Sequence, residues 1–296
     1  MITRSILFAG VLFLLYNLVL LAPPLRERFI TQSQWQDNMA KAQEYPLAKL
    51  SKPGVIVGSS LAERLSTTSL QTDFYNLAMS GEGPFTGLEI IRHNAVRPSV
   101  VLIETNLLLR EENTDVLGSA FCPVISQLRP VAPGLLERYH PANFIAGKVG
   151  EKLVHWSLDA AQRLCPKPKP KATEDAESVF EKVLAIHKAE YEIRPKPGQL
   201  EQQIEKLKVF VADLEAHGTR CVFVEMPIDN SLTELPQPAA VRNSLREAFP
   251  LSKYVWVNPD GHHKYATVDG VHLPGPEADA YAERIRTELG QHGLLK

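Results

Sequence analysis

A glycine and two serines stand where a short apolar run ends and a helical pattern begins. The run Val55–Val57 predicts a buried β-strand, and Gly58, Ser59 and Ser60 follow it directly. Backbone N–H groups in the first turn of a helix have no partner within the helix, so this turn favours negative charge. A serine here either caps the helix or attacks a carbonyl carbon while the N–H groups hold the oxyanion. The tripeptide alone leaves both interpretations open.

A serine nucleophile needs a base, and a candidate lies near the other end of the chain. The stretch DGVHLPGPEADAYAERI places Asp269 and His272 three residues apart, just before a final helical pattern. In a triad the carboxylate fixes the imidazole tautomer, and the imidazole takes the proton from the serine hydroxyl. The spacing therefore predicts a triad of Ser60, His272 and Asp269, with a helix cap beside a surface histidine as the alternative.

Two further segments carry hydrogen-bond donors for an oxyanion. Gly81 lies in YNLAMSGEGP after the second predicted strand, and Asn106 follows the third predicted strand in LIETN. Because parallel strands end at the same edge of a sheet, we expect both residues at the edge that carries Ser60. A glycine N–H is not obstructed by a side chain, and an asparagine amide is a donor. A turn glycine and a loop amide are the simpler alternatives.

The blocks GSS, NLAMSGEG, ETN and DGVH, in this order, resemble those of the SGNH hydrolase superfamily, also called GDSL-like. Members of that superfamily carry Ser, Gly, Asn and His in successive blocks of a flavodoxin-like α/β/α domain. The resemblance covers residues 54–105 and 219–289. It implies Ser60 as the nucleophile and His272 with Asp269 as its base and orienting acid.

The same resemblance implies an oxyanion hole formed by the N–H groups of Ser60 and Gly81 and the side-chain amide of Asn106. Two blocks depart from the usual pattern: Ser59 replaces the aspartate of Gly-Asp-Ser, and ETNL replaces Gly-x-Asn-Asp. Gly83 is a second candidate for the role of Gly81. An inactive member of the superfamily is therefore an alternative to an enzyme.

No metal or cofactor is expected. The stretch GHHKYATVDGVH gathers His262, His263, Asp269 and His272, which are residue types that bind zinc. However, adjacent histidines do not easily bind one ion, and the chain has no other obvious ligand cluster. The GVIVGSS turn lacks the Gly-x-Gly-x-x-Gly pattern of a dinucleotide site.

The elements that position these residues follow an alternating pattern. The apolar runs GVIVG, DFYNLAM, SVVLIET, TRCVFVEMP and YVWVN alternate with helical patterns from Gly54 onward. Such alternation predicts an α/β fold with a mainly parallel five-stranded sheet, for which the order 2-1-3-4-5 is common. The resemblance implies a flavodoxin-like three-layer α/β/α arrangement over residues 54–296.

One long interruption breaks the alternation at about residues 107–197, where no strand pattern is convincing. A compact domain normally uses short connections, so we predict a helical insertion. Cys122 and Cys165 fall within it and either pair or remain separate thiols.

The N-terminus predicts a membrane anchor. Residues 5–22 carry no charge and would span about 27 Å as a helix, close to the hydrocarbon thickness of a bilayer. Pro23 and Pro24 follow directly, where a cleaved secretory signal would carry small residues. We predict an anchor over residues 1–25 and a stalk over residues 26–53. The flanking arginines do not fix the orientation.

The remaining partners follow from charge and from the resemblance. Thirty-two basic and 34 acidic residues leave a net charge of −2, and no long basic face is present, so nucleic acid is not an expected partner. Anchored members of the superfamily move acyl groups on cell-surface polymers outside the bacterial cytoplasmic membrane. A single span cannot carry an acyl group across that membrane, so we expect either a partner or a donor that is already on the outer side. The resemblance suggests a multi-spanning membrane-bound O-acyltransferase as that partner.

Three functions remain open from the sequence. The leading hypothesis is an extracytoplasmic O-acyltransferase that transfers an acetyl group to a polysaccharide through an acyl-Ser60 intermediate. The second is an SGNH esterase or deacetylase that uses the same residues with water as acceptor. The third is a non-catalytic anchored module that binds a polysaccharide-export or acylation complex. In each case we expect a single-pass protein of the inner membrane with its α/β domain in the periplasm.

Overall fold

The computed structural model describes residues 2–22, 29, 33–48, 54–70, 74–141, 143, 174–261 and 263–295. Two compact units are present, one formed by Met1–Ala48 with Asp115–Pro170 and the other by Lys49–Thr114 with Lys171–Lys296. The question whether Cys122 pairs with Cys165 lies outside the described residues, because Cys165 is not among them.

The secondary structure elements are as follows. The strands are β1 (Gly54–Val57), β2 (Phe74–Asn76), β3 (Val100–Glu104), β4 (Arg220–Val224) and β5 (Val255–Val257). The helices are α1 (Ile2–Leu20), α2 (Gln34–Glu44), α3 (Ser60–Glu63), α4 (Pro84–His93), α5 (Thr114–Ala120), α6 (Pro123–Leu128), α7 (Glu174–Tyr191), α8 (Gln199–Ala216), α9 (Asn230–Thr233), α10 (Pro236–Ala248) and α11 (Gly275–Gln291). Short 3-10 turns cover Tyr45–Leu47, Pro133–Leu135 and Glu137–Tyr139.

The second unit is built on one parallel sheet. Its strand order is β2-β1-β3-β4-β5, and every pairing between neighbours is parallel. All residues of β1 and β3 are buried, as expected for the middle of a sheet that is covered on both faces. The structure therefore confirms the α/β class and the five-stranded parallel sheet, and its strand order is the common order 2-1-3-4-5.

Helices cover both faces of this sheet. Ile56, Leu102 and Val222 stand in register on neighbouring strands and share a buried cluster with Tyr281 and Ile285 of α11. On the other face α4 packs against β1 so closely that a Cβ added at Gly87 would lie 2.8 Å from Val57 Cγ1. Helix α8 contacts both α4 and β4. This arrangement is the three-layer α/β/α architecture that the resemblance implies.

The described part of the predicted insertion is helical. Its described part contains α5, α6, two 3-10 turns and α7, and no strand occurs among the described residues of 107–197. The stretch Asp115–Pro170 belongs to the first unit, whereas α7 belongs to the second.

The first unit contains α1 and α2. Helix α1 is the one helix in the described part of the chain that is long and apolar enough to cross a membrane. Only its Asn17 and Leu20 are buried, and Asn17 Oδ1 accepts a hydrogen bond of 2.8 Å from the Gly134 N–H. Helix α2 lies within the segment predicted as a stalk, and it packs against the turn Glu137–Tyr139.

The close approach of β1 and β2 predicts a measurable cost for a side chain at Gly54. A Cβ there would lie 2.1 Å from Phe74 Cε1, and the Phe74 ring is itself buried. We expect Gly54→Ala to lower the free energy of unfolding by about 1–3 kcal/mol, and Phe74→Leu in the same chain to restore part of it. Thermal unfolding measures both effects.

Gly118→Ala is the matched control, because a Cβ at Gly118 meets no atom within 4 Å and the residue lies in α5. We expect that change to be neutral or stabilising by about 0.5–1 kcal/mol. Equal stability of the two alanine variants would contradict the packing described for Gly54.

Candidate active site

The turn after β1 separates the two roles that the sequence left open for its serines. Ser59 is the N-cap of α3, with φ −101° and ψ −166°, and its Oγ accepts a hydrogen bond of 3.1 Å from the Leu61 N–H. Ser60 is the first residue of the helix, and its Oγ is 2.8 Å from His272 Nε2. Ser59 therefore caps the helix, and the hydroxyl of Ser60 faces a base.

Asp269 extends the hydrogen-bonded pair of Ser60 and His272 to three residues. Its Oδ2 is 2.7 Å from His272 Nδ1, and its Oδ1 accepts the N–H groups of Val271 at 3.1 Å and His272 at 2.8 Å. The two backbone bonds fix the carboxylate within its own loop. With Nδ1–H donating to Asp269, Nε2 is left to accept the proton of the Ser60 hydroxyl.

The surroundings keep Asp269 ionised. Burial alone would raise the pKa of this carboxyl, but the hydrogen bonds from the His272 N–H, the His272 ring and the Val271 N–H outweigh burial and lower the pKa. An ionised carboxylate holds the imidazole in one tautomer and stabilises the imidazolium that forms when His272 takes a proton.

Contacts between distant segments hold the serine and the histidine together. Arg64 Nη1, at the end of α3, donates a hydrogen bond of 3.2 Å to the carbonyl oxygen of Leu273, the residue after the histidine. Ser69 Oγ donates to Asp279 Oδ1 at 2.7 Å. These bonds attach the segment after β1 to the loop before α11 and to that helix itself.

The candidate oxyanion donors differ in their hydrogen-bond partners. The N–H of Ser60 has no hydrogen-bond partner among the described residues. Asn106 Nδ2 donates to the Met226 carbonyl oxygen at 2.9 Å, and its Oδ1 accepts the Met226 N–H at 2.7 Å. This pair of bonds fixes the amide plane and leaves one amide hydrogen of Asn106 for another acceptor.

The position of the glycine donor stays a prediction. Gly81 is exposed with φ +82°, and a Cβ there would meet no atom within 4 Å. Gly83 is buried and caps α4, and a Cβ there would lie 2.7 Å from the Leu107 carbonyl oxygen. Gly83 is thus required by packing, and Gly81 by its left-handed backbone conformation.

A cavity of roughly 380 Å³ opens beside the triad. Ser60, His272 and Asn106 line it, as the sequence predicts for residues at one sheet edge. The remaining wall consists of Leu61, Leu107, Leu109, Arg110, His187, Glu190, Tyr191, Ile193, Gln237 and Val271. His187, Glu190 and Tyr191 come from α7, so the insertion forms part of the site.

Tyr191 contributes a neutral phenol to this wall. Burial, with a smaller contribution from the charge of Glu104, raises the pKa of its phenol to about 12. No sequence signal marked α7 as part of the site, because its contribution depends on how the insertion folds back over the sheet edge. Arg110 lies a few residues after the end of β3. Because parallel strands end at the same edge of the sheet, its place near the site could have been predicted from the sequence.

Glu104 is the least expected residue of the site. It is 1% exposed, and its carboxylate accepts hydrogen bonds from the Ser59 N–H at 2.6 Å and from the Ser59 hydroxyl at 2.8 Å. A Cβ at Gly58 would lie 2.5 Å from Glu104 Cβ and Oε2, so glycine is required for this approach. Burial raises the pKa of Glu104 even though these hydrogen bonds act to lower it.

The histidine-rich stretch shows no metal site in the part of the chain that is described. No group of three or more His, Cys, Asp or Glu side chains is placed there to hold an ion, and His262 lies outside the described residues. His263 Nε2 is 3.1 Å from Glu277 Oε2. The expectation of no metal therefore stays a prediction.

The raised pKa of Glu104 predicts how stability depends on pH. The folded chain binds the Glu104 proton more tightly than the unfolded chain, so this group contributes less stability as the pH rises above 4.5, the ordinary pKa of a glutamate. Glu104→Gln removes the ionisation. We expect the unfolding free energy of the wild type minus that of Glu104→Gln to fall with rising pH, by at most about 1.4 kcal/mol per pH unit. Urea unfolding between about pH 5 and 8 measures this difference, and a constant or rising difference would contradict the assigned direction.

Comparison with known proteins adds only distant structural likenesses. No family model matches the chain, and no curated protein matches it. A crystal structure of a GDSL-like lipase from Bacteroides thetaiotaomicron is 12% identical, covers 86% of this chain and 99% of its own, and has a TM-score of 0.43. A structure provisionally assigned as a platelet activating factor from Streptococcus pneumonia is 11% identical, with coverage of 86% and 91% and a TM-score of 0.40. The chain is similar to these two structures, and likeness of this degree says nothing further about its activity.

Proposed function

We propose that this chain is a membrane-anchored serine acyltransferase of the SGNH hydrolase type that acylates a cell-surface polysaccharide. One observation carries the proposal: Ser60 Oγ, His272 and Asp269 form a continuous hydrogen-bonded chain with distances of 2.8 and 2.7 Å at the carboxyl edge of the sheet. That order of hydroxyl, imidazole and carboxylate activates a serine for attack on an acyl carbon.

The first half-reaction forms the acyl-enzyme. Ser60 Oγ attacks the carbonyl carbon of an ester while His272 Nε2 takes its proton, and the carbonyl oxygen becomes an oxyanion. We place the N–H groups of Ser60 and Gly81 and the remaining amide hydrogen of Asn106 as donors to that oxyanion. The tetrahedral intermediate collapses as the protonated His272 gives its proton to the leaving alcohol, and the acyl group stays on Ser60.

The second half-reaction repeats these steps with a new nucleophile. A sugar hydroxyl enters, His272 removes its proton, and its oxygen attacks the acyl carbon of acyl-Ser60. When the second tetrahedral intermediate collapses, His272 returns the proton to Ser60 Oγ and the acylated sugar leaves. We propose an acetyl group as the acyl group and a sugar hydroxyl as its acceptor.

The anchor supports action at a membrane surface. Helix α1 exposes a run of large apolar side chains, including Leu7, Phe8 and Leu14, which is costly in water and favourable in a bilayer. We propose that α1 spans the inner membrane once and that the α/β unit lies in the periplasm. A donor on that side then has to come from another protein, and a multi-spanning membrane-bound O-acyltransferase is the proposed partner.

Hydrolysis is a second candidate function that one observation favours. The side chains of His272 and Asp269 are 21% and 27% exposed, so water reaches the base of the triad. Water in place of the sugar hydroxyl turns the same two half-reactions into an esterase or deacetylase.

Replacing the nucleophile tests the shared chemistry. Ser60→Ala removes the attacking oxygen, so we expect no labelling by a fluorophosphonate and a fall in kcat for a chromogenic acetyl ester on the order of 10⁴- to 10⁶-fold. Thermal stability and recovery in the membrane fraction are expected to match the wild type. Ser231→Ala, at an exposed serine bonded to Asp229, is the matched control and keeps full labelling. A wild type that takes no label would point instead to a non-catalytic binding module.

The acceptor decides between transfer and hydrolysis. We expect the full chain in detergent, given an acetyl ester and an unacetylated oligosaccharide, to form acetylated oligosaccharide at the expense of free acetate, because the sugar competes with water for acyl-Ser60. Mass spectrometry of the oligosaccharide and assay of acetate measure the two products, with the Ser60→Ala protein as blank. Release of acetate alone across a range of oligosaccharides would overturn the transferase and leave the esterase.

A further inference from the structure

Glu104 takes part in no step of the proposed reaction, yet its carboxylate is hydrogen-bonded to several groups of the turn that carries Ser60. Glu104 Oε2 accepts the Ser59 N–H at 2.6 Å and the Ala62 N–H at 3.3 Å. The Ser59 hydroxyl lies 2.8 Å from both carboxylate oxygens. Three donors of one turn thus converge on a single buried side chain from the neighbouring strand.

The hydroxyl of Ser59 fixes the direction of these bonds. Its oxygen already accepts the Leu61 N–H at 3.1 Å, and its one proton is directed at Glu104. With that proton directed at Glu104, both carboxylate oxygens serve as acceptors for the donors of this turn, whereas an amide would offer one acceptor oxygen and an NH₂ group.

These bonds leave one backbone donor of the turn unused. The N–H groups of Ser59 and Ala62 go to Glu104, that of Leu61 goes to Ser59 Oγ, and that of Glu63 goes to the Ser59 carbonyl oxygen at 2.9 Å. Among the described residues the Ser60 N–H has no partner. The donor that remains belongs to the residue whose hydroxyl faces His272.

We propose that Glu104 is a positioning residue: it occupies the neighbouring donors of this turn, so that the Ser60 N–H is the donor the turn presents to the oxyanion and the Ser60 hydroxyl is held toward His272. This inference rests on the proposed function of Ser60. Glu104 acts through Ser59 and the backbone, and it does not touch the acyl group.

The sequence supports the same link independently. Ser59 and Glu104 are two of the positions at which the blocks depart from the usual Gly-Asp-Ser and Gly-x-Asn-Asp patterns. In the structure these two departures are hydrogen-bond partners. Gly58 is required for their contact, because a Cβ there would lie 2.5 Å from the carboxylate.

Glu104→Gln tests this role, because glutamine has the shape of glutamate but carries no negative charge. Glu104→Gln leaves one amide oxygen for the backbone donors but sets an NH₂ group against the Ser59 hydroxyl, so we expect the turn to shift and kcat for the acetyl ester to fall about 10- to 100-fold. We expect KM to stay within about twofold, and the fluorophosphonate labelling rate to fall with kcat. If Glu104 acted on stability alone, Glu104→Gln would lower the unfolding temperature, but the folded protein would keep its kcat.

A second variant shows whether Ser59 and Glu104 act as one unit. Ser59→Ala removes the shared hydroxyl and is expected to lower kcat by a similar factor. The double variant is expected to be no slower than the slower single variant, because both changes break the same network. Glu225→Gln is the matched control: it removes a carboxylate just after β4 that is paired with Arg242, and it is expected to keep kcat.

The outcomes separate this inference from the proposed function. If the wild type is not labelled at Ser60, the proposed function fails and the role of Glu104 fails with it. If the wild type is labelled and folded Glu104→Gln keeps its kcat, only the role of Glu104 is overturned. Should Glu104→Gln not fold, Ser59→Ala decides: an unchanged kcat overturns the inference, and a loss of about tenfold or more supports it.

Discussion

The site depends on a hydrogen bond between Ser60 Oγ and His272 Nε2, which joins residues 212 positions apart in the chain. Such a bond needs both residues at the same edge of the sheet, and parallel strands provide that edge because all of them end on one side. Strand β1 delivers the serine directly. The histidine lies on the loop after β5, two strands beyond β3, so it must be carried back across the edge before α11 begins.

Packing in the core stabilises the path of the chain from β5 back to the middle of the sheet edge. Helix α11 buries Tyr281 and Ile285 in the same cluster as Ile56 of β1 and Leu102 of β3, so its packing brings the loop before it to the middle of the sheet. The bond from Arg64 to the Leu273 carbonyl then fixes the last step of the path. Burial of apolar surface supplies the general position, and a few directional bonds supply the accuracy that proton transfer requires.

Structural features that depend on residues close together in the sequence were predictable. Features that depend on contacts between residues far apart in the sequence were not. Runs such as Val55–Val57 are apolar and β-branched, so the strands could be recognised without the structure. Asp269 and His272 share one loop, so their contact follows from spacing. The contact of Ser59 with Glu104 joins two strand ends, and from the sequence both residues were only departures from a pattern. The placement of α2 and α7 likewise depends on packing that the local periodicity of the sequence does not predict.

The two parts of the site have different origins, and this difference bears on specificity. The triad and Asn106 stand on strand ends and loops of the sheet, where geometry is rigid and suits chemistry that tolerates little displacement. His187, Glu190 and Tyr191 come instead from α7 within the insertion, and they form part of the cavity wall. Attack on acyl-Ser60 by a sugar rather than by water requires a surface that binds the sugar and excludes water. Under the proposed transferase function the candidate catalytic groups occupy the sheet edge, so we assign that selection to the wall that α7 builds.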